Sequence, residues 1–295
     1  MRIEFEGRYQ LSVERDGEIT QQTPWFDNLI TDNGLDLIGT GYSVNCHVGS
    51  GTTPPAYTDT QLQSYVGSLA RLEGWYSNAG LSETPQYRSY FTRFRAAIGA
   101  ISGQVSEVGI GPAQDNLVSR ALLPVVLHLD GELDRLYVTW EFRQCIPAEP
   151  VEGAVFLAGA MRTYSAEPYS IEGRSGSSWW NVNPGQRIYQ SSFSWQQDCA
   201  LRIDGSWVKG STWNWAPRQH GYVWGSRTQH LYIDDYGPGL TGSIDGFIFM
   251  RGASSGAGNV GCNGGAWEVI IDPPIQIEDY QRLHVDFAIS WDRCN

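Results

Sequence analysis

Two stretches of the chain match patterns that elsewhere carry catalysis. Residues 252–256 read GASSG, the G-x-S-x-G form that exposes a serine on a sharp turn, and residues 256–261 read GAGNVG, the G-x-G-x-x-G form that lets backbone approach a pyrophosphate. Both chemistries need a strand before the turn and a helix after it, because the helix N-terminus supplies amides for an oxyanion or a phosphate. Phe247 to Met250 qualifies as the strand. The continuation CNGGAWEVIID runs through more glycine into a second strand, so Ser254 is assigned no catalytic role and no cofactor is expected.

Carboxylates are the next route to chemistry. Asp234 and Asp235 stand beside Tyr232 and Tyr236. A glycoside hydrolase needs two carboxylates about 5–10 Å apart across a sugar, a separation that adjacency does not provide. Asp130, Glu132 and Asp134 alternate within one acidic turn, but the remaining oxygen ligands of a Ca²⁺ loop do not follow, and a solvated turn is expected. The five histidines (His47, His128, His220, His230, His284) and five cysteines (Cys46, Cys145, Cys199, Cys262, Cys294) show neither C-x-x-C nor zinc-ligand spacing. The cysteines therefore read as free thiols made in a reducing compartment, and no metal is assigned. Cys46 and His47 are neighbours on a strand and point to opposite faces, which argues against a thiol–imidazole couple.

Tryptophan is the more informative residue. Seven of the twelve (Trp179, Trp180, Trp195, Trp207, Trp213, Trp215, Trp224) fall in a Gly-, Ser-, Asn- and Gln-rich stretch that also holds Tyr222. Flat amphipathic rings in polar loops suit stacking on sugars or on partner subunits; the same rings also suit the core of a loop-rich β-domain poor in aliphatics. Trp179, Trp180, Trp207, Trp213, Trp215, Tyr222 and Trp224 are the candidate interface or glycan-stacking residues.

The elements that must carry these residues are strands. Ile3, Phe5, Tyr9, Leu11 and Val13 recur at period two up to Asp16 and Gly17, predicting a strand and a hairpin. Tyr90, Thr92, Phe94, Ala96 and Ile98 share a face of another strand, and Leu136, Val138, Trp140 and Phe142 oppose Tyr137, Thr139, Glu141 and Arg143 on a third. Val105 to Ile110, Ala121 to Leu129, Val155 to Ala160, Ile244 to Met250 and Trp267 to Ile271 add further candidates. Helical pattern is confined to short turns, one opened by Thr31 and covering Leu35 to Ile38, one opened by Thr58 and covering Gln61 to Tyr65. Gly34, after Asn33, is read as permitting a positive φ before the first of them.

The expected fold is all-β, with two antiparallel β-sandwich-like domains at 1–147 and 148–295, one or two short helices, and a linker in the acidic, Pro-containing stretch from Ile146 to Pro150. LPVVLHLDGELDRLYVTWEFRQC, ending at Cys145, is echoed by IDPPIQIEDYQRLHVDFAISWDRC, ending at Cys294. The echo points to duplication, though two unrelated β-hairpins share this much.

At 295 residues, 41% hydrophobic and 18% charged, the chain has a core to bury and room for two domains. Its net charge is −12 and its only lysine is Lys209, which disfavours broad contact with nucleic-acid phosphates. No apolar run reaches the roughly 18 residues of a membrane span, and the N-terminus lacks an export signal's apolar stretch, so a soluble protein without membrane insertion is expected.

The first half carries a resemblance. NLITDNGLDLIG (residues 28–39), CHVGSGTTPPAYTDTQL (46–62), SEVGIG (106–111), SRALL (119–123) and LYVTWEFR (136–143) follow in an order that resembles tailed-bacteriophage virion proteins of the tail-fibre, baseplate or minor tail type. The resemblance implies a structural part that works by association rather than catalysis, assembled in the host cytoplasm and carried in the tail region of the virion. It implies other phage tail or virion proteins as partners; assembly on rotational symmetry adds further copies of the chain, and the Trp-rich segment adds a host cell-surface glycan. A lectin-like receptor-recognition module is the alternative, and a serine hydrolase using Ser254 the more distant one. Arg120, within SRALL, has two readings from the residues alone: pairing with a carboxylate such as Glu107, or reaching outward to solvent.

Overall fold

The structure is a computed structural model that describes residues 2–40, 44–77, 86–146, 150–168, 196–209, 218–219, 223–235, 241–255, 259–278 and 283–294. The alternating first segment forms β1 (Arg2–Arg15), which turns at Asp16 and Gly17 into β2 (Glu18–Gln22). Two short strands, β3 (Phe26–Asp27) and β4 (Leu29–Ile30), lead to the helix α1 (Asp32–Thr40). Then come β5 (Asn45–Gly49), β6 (Tyr65–Ser77), β7 (Gln86–Arg95), β8 (Gly103–Gly111), β9 (Ser119–Leu129) and β10 (Asp134–Ile146). Beyond these lie β11 (Val151–Leu157), β12 (Ala160–Pro168), β13 (Gln196–Ile203), β14 (Ser206–Lys209), β15 (Arg218–Gln219), β16 (Thr228–Asp235), β17 (Gly242–Ser255), β18 (Asn259–Ile277) and β19 (Leu283–Arg293). The fold is all-β, as expected.

The larger sheet has 13 strands, with the path β15-β16-β19-β1-β10-β7-β6-β5-β8-β9-β4 and with β2 and β3 paired to β1. It folds over at β6, whose Tyr65 to Leu69 pair with β5 while Ala70 to Ser77 pair with β7. The two layers so formed face one another, and alternation decides what lies between them. Tyr9, Leu11 and Val13 of β1, Leu136, Val138 and Trp140 of β10, and Val105, Val108 and Ile110 of β8 fill one core. Tyr9 Oη meets Ser119 Oγ at 2.6 Å, a hydrogen bond from one layer to the other. The odd-numbered face of β1 is apolar; its even-numbered face is a charged ladder in which Arg8 and Arg143 both reach Glu141.

The smaller sheet runs β11-β12-β18-β17-β13-β14. Its Ile244, Phe247, Ile271, Ile275 and Ile277 form a second core that also takes in Val285 of β19. Strands from both sides of the expected 147/148 boundary share the larger sheet. β10 lies antiparallel on one side of β1, and β19 lies parallel on the other, pairing Arg2 to Phe5 with Ser290 to Arg293. The two echoed hairpins thus end on strands that flank the same partner. Within the expected linker, Ile146 closes β10 and Pro150 precedes β11; residues 147–149 lie outside the described residues.

Several local expectations change. α1 is the one helix among the described residues; Thr58 sits in a simple turn, with the Asp59 amide bonded to the Ala56 carbonyl, and Gln61 to Ser64 form no helix. The Thr58 segment fails because its polar groups are claimed by the Arg120 network described below. Thr31 does cap α1, its Oγ1 accepting from the Gly34 amide at 2.9 Å. Gly34 lies inside the helix, and its reason is space: a Cβ there would overlap the Val118 carbonyl. Ile98 leaves the β7 face for a turn and is 54% exposed. The single strand expected over Val155 to Ala160 is broken by a tight turn at Ala158 (φ 49°) and Gly159 (φ 75°), hidden in the sequence because alanine rarely marks positive φ.

Candidate functional site

The residues that carry the resemblance converge on one buried carboxylate. β8 places Glu107 inward with 0% of its side chain exposed. Its Oε1 accepts from the Gly51 amide at 2.9 Å and the Ser64 amide at 2.7 Å, and its Oε2 from the Gln63 amide at 3.0 Å. Arg120 on β9 completes the set, donating to Glu107 Oε2 through Nε and Nη2, to Asp59 Oδ2 at 2.6 Å and to the Thr53 carbonyl at 3.0 Å. The pairing reading of Arg120 is the observed one. Gly49 and Gly51 lack side chains because a Cβ at either would collide with Glu107. The blocks VGSGTTPP, TDT, SEVG and SRAL therefore form one internal clamp on the loop from Ser50 to Ser64. The Glu107 carboxylate and the Arg120 guanidinium are committed to partners inside this clamp.

The other chemical candidates resolve in turn. Ser254 belongs to β17 and pairs with Val260 on β18, so residues 252–255 enter a strand hairpin and the helix that an elbow requires does not follow. Asp234 and Asp235 are successive residues of β16, where their backbones pair with His284 and Leu283 of β19. In the acidic turn Asp130 and Glu132 are exposed, as a solvated turn requires, and Asp134 is the exception. Asp134 is buried and binds Arg15 through two contacts, Nε at 2.8 Å and Nη2 at 3.0 Å, while its Oδ2 accepts from the Asp130 amide. Hydrogen bonding from Arg15 holds the Asp134 carboxyl below its ordinary range. Burial alone would raise Glu141, but hydrogen bonds from Arg143, Ser89 and Arg8 outweigh it and the net shift is downward.

Cys46 is buried in the first core, and burial pushes its thiol well up. His47 points away from that core to Ser68, Nδ1 to Oγ 2.8 Å, and burial lowers its basicity. Neither activates the other. Cys46, Cys145 and Cys294 are free thiols. Contact with Cys145, together with burial, raises the Cys294 thiol strongly.

Of the candidate stacking residues, Trp224 is the one whose side chain is described. It is 57% exposed beside Val223 at 67%. Its turn is bolted to α1: the Gly225 amide donates to Asp36 Oδ1 at 2.7 Å, and Arg227 donates to Asp32 Oδ1 at 2.7 Å. Trp207 lies on β14, its backbone paired with Arg202. Trp179, Trp180, Trp213, Trp215 and Tyr222 lie outside the described residues, as does Trp195.

Sequence reasoning missed an apolar surface at the hairpin of β11 and β12. Among the described residues β11 is the edge of the smaller sheet, and Val151, Val155, Phe156 and Met161 are all exposed, Phe156 at 68% and Met161 at 60%. Phe156 and Met161 stand opposite one another across the ladder, two residues from the turn. An unpaired edge with apolar side chains is a template for another chain. The apolar run AVFLAGAM was legible as a strand; its exposure follows only from β11 being last in the sheet. Behind this hairpin a cavity of about 250 Å³ is walled by Val155, Leu157, Tyr164, Phe247 and Val285.

No family model matches the chain, no curated protein matches it, and no solved structure matches its fold. Among the described residues no helix is long and apolar enough to cross a membrane.

Proposed function

We propose that this protein is a structural component of a tailed-phage virion, in the tail, baseplate or fibre region, that works by associating with other virion proteins and with copies of itself. The observation that carries the reading is the division of labour between its residues. The two opposite charges that the resembling blocks bury, Glu107 and Arg120, are spent on each other and on one loop, while apolar side chains are displayed on the open β11 edge. A scaffold with a sticky edge suits assembly, and virion parts repeat around rotational axes. Quantitative mass spectrometry of purified tailed particles from cells carrying the gene tests it. The chain is expected at a fixed ratio to the other tail proteins; particles that infect normally without it would overturn the proposal.

A second reading, recognition of a host cell-surface glycan, is favoured by Trp224, an exposed indole on a turn held rigidly against α1. Pre-organised aromatic faces stack on sugars at low entropic cost. Glycan-array binding that disappears in Trp224→Ala is the expected result for that reading, and a silent array removes it.

A further inference from the structure

The strongest unused constellation lies where the two echoed hairpins end. Cys145 pairs with Glu4 across the β1–β10 ladder, so the two share the charged, even-numbered face of β1, and Glu6, two residues on, shares it too. Cys294 arrives from the other side, its amide donating to the Phe5 carbonyl at 2.9 Å. One ligating atom from each of Glu6, Cys145 and Cys294 lies within 4.8 Å of the others. Cys145 is buried and the other two are half-buried. Arg143 donates to Glu6 Oε1 at 2.8 Å and so holds the carboxylate in position, the role an outer partner plays at metal sites.

We propose that Cys145, Cys294 and Glu6 form a binding site for a thiophilic divalent cation of the zinc class, with water as the fourth ligand. Two sulfurs and one carboxylate oxygen suit zinc rather than calcium or magnesium, which take oxygen sets. In a tetrahedral zinc site the ligand atoms stand about 3.5–3.8 Å apart, so the three groups need to close by no more than about 1.3 Å. A disulfide fits less well. Cys145 on β10 and Cys294, the residue that follows β19, lie on opposite flanks of β1, and a strand spacing of about 4.8 Å puts their Cα atoms roughly 9.6 Å or more apart, beyond the roughly 7 Å that a disulfide spans without backbone movement. Binding one cation displaces one proton from each thiol to solvent; nothing is oxidised. The bound ion ties the end of β19 to β10 across the charged face of β1.

The experiment uses the full chain, reduced and stripped of metal, titrated with Zn²⁺ and separately with Co²⁺ as a spectroscopic probe. One equivalent of Co²⁺ is expected to give a thiolate-to-cobalt charge-transfer band, and Zn²⁺ to displace it and raise the melting temperature. Cys294→Ser should weaken binding on the order of a hundredfold and Glu6→Gln on the order of tenfold, while Cys46→Ala leaves the band intact. Cys145→Ser checks the buried ligand, and Glu6→Gln keeps the test open should that variant not fold. Absence of a stoichiometric band, Cys294→Ser binding as tightly as wild type, or a 145–294 disulfide in protein purified without reductant would each overturn the proposal.

Discussion

Arg120 reaches Glu107 diagonally across the β8–β9 ladder, its Nε and Nη2 donating to one carboxylate oxygen at 3.0 and 2.8 Å. Both side chains are almost wholly removed from solvent, with 3% of Arg120 and none of Glu107 exposed. Removing one partner strands the other's charge in the interior. Arg120→Met is therefore expected to lower the unfolding free energy by about 3–5 kcal/mol. Many buried ion pairs can be replaced by apolar pairs without loss, but here the amides of Gly51, Gln63 and Ser64 also depend on Glu107. The double variant Arg120→Met, Glu107→Leu should stay destabilised. Urea unfolding measures both, and a double variant as stable as wild type would refute the clamp.

Acid should weaken the protein through carboxylates that the fold keeps ionised. Arg15 holds the Asp134 carboxyl below the ordinary carboxylate range, and Arg143, Ser89 and Arg8 do the same for Glu141 against the opposing effect of burial. A group whose folded pKa lies below its unfolded pKa stabilises above the unfolded value and stops doing so as pH falls through the folded one. Stability should thus be level near neutrality and decline below about pH 4. Asp134→Asn should cost about 1 kcal/mol at pH 7, because Arg15 is partly solvated, and the gap from wild type should close as pH falls. A gap that widens in acid would contradict the assignment. Thermal melts from pH 7 to pH 2.5 supply the comparison.

The β11–β12 hairpin offers a separation of association from stability. Phe156→Asp and Met161→Asp alter exposed side chains, so each should change unfolding free energy by no more than about 0.5 kcal/mol. Each should also reduce self-association in sedimentation velocity and lower incorporation into particles. Unchanged sedimentation and unchanged incorporation would place the assembly face elsewhere.

Gly34→Ala tests why a glycine stands inside a helix. On propensity alone alanine gains about 1 kcal/mol. Because the new methyl would press on the Val118 carbonyl, the expectation is a net loss of about 2–3 kcal/mol with α1 displaced from β9. A more stable variant in chemical denaturation would show that β9 yields.

The strands were readable because alternation records which face is buried. Leu136, Val138 and Trp140 are in the core, as their period predicted. The buried polar residues were not readable in the same way. Glu107 interrupts no period, and its three amide donors come from a loop more than 40 residues earlier, so only the tertiary fold reveals what it holds. Arg120 offered the one sequence cue, a cation within an apolar run. Proximity of Cys145 to Cys294 was equally silent, because it depends on both echoed hairpins choosing β1 as neighbour. The Phe156 edge was missed for a different reason: a type of turn that alanine seldom enters joined two strands into one apparent run.

The seat of β19 beside β1 sets a schedule for biosynthesis. Trp291 of β19 donates through Nε1 to the Leu35 carbonyl, 256 residues earlier in the chain. At about 5–20 residues per second, the ribosome needs roughly 13–50 s to deliver that strand after α1 has emerged. For that interval the start of β1, Arg2 to Phe5, lacks its β19 neighbour, while β2 and β3 already cover residues 8–15 of the same flank, and chains growing side by side on one message can lend each other the missing piece. Exchange of β19 between copies would then produce interlocked dimers without any new contact chemistry, favoured by high expression and suppressed by slow, dilute synthesis.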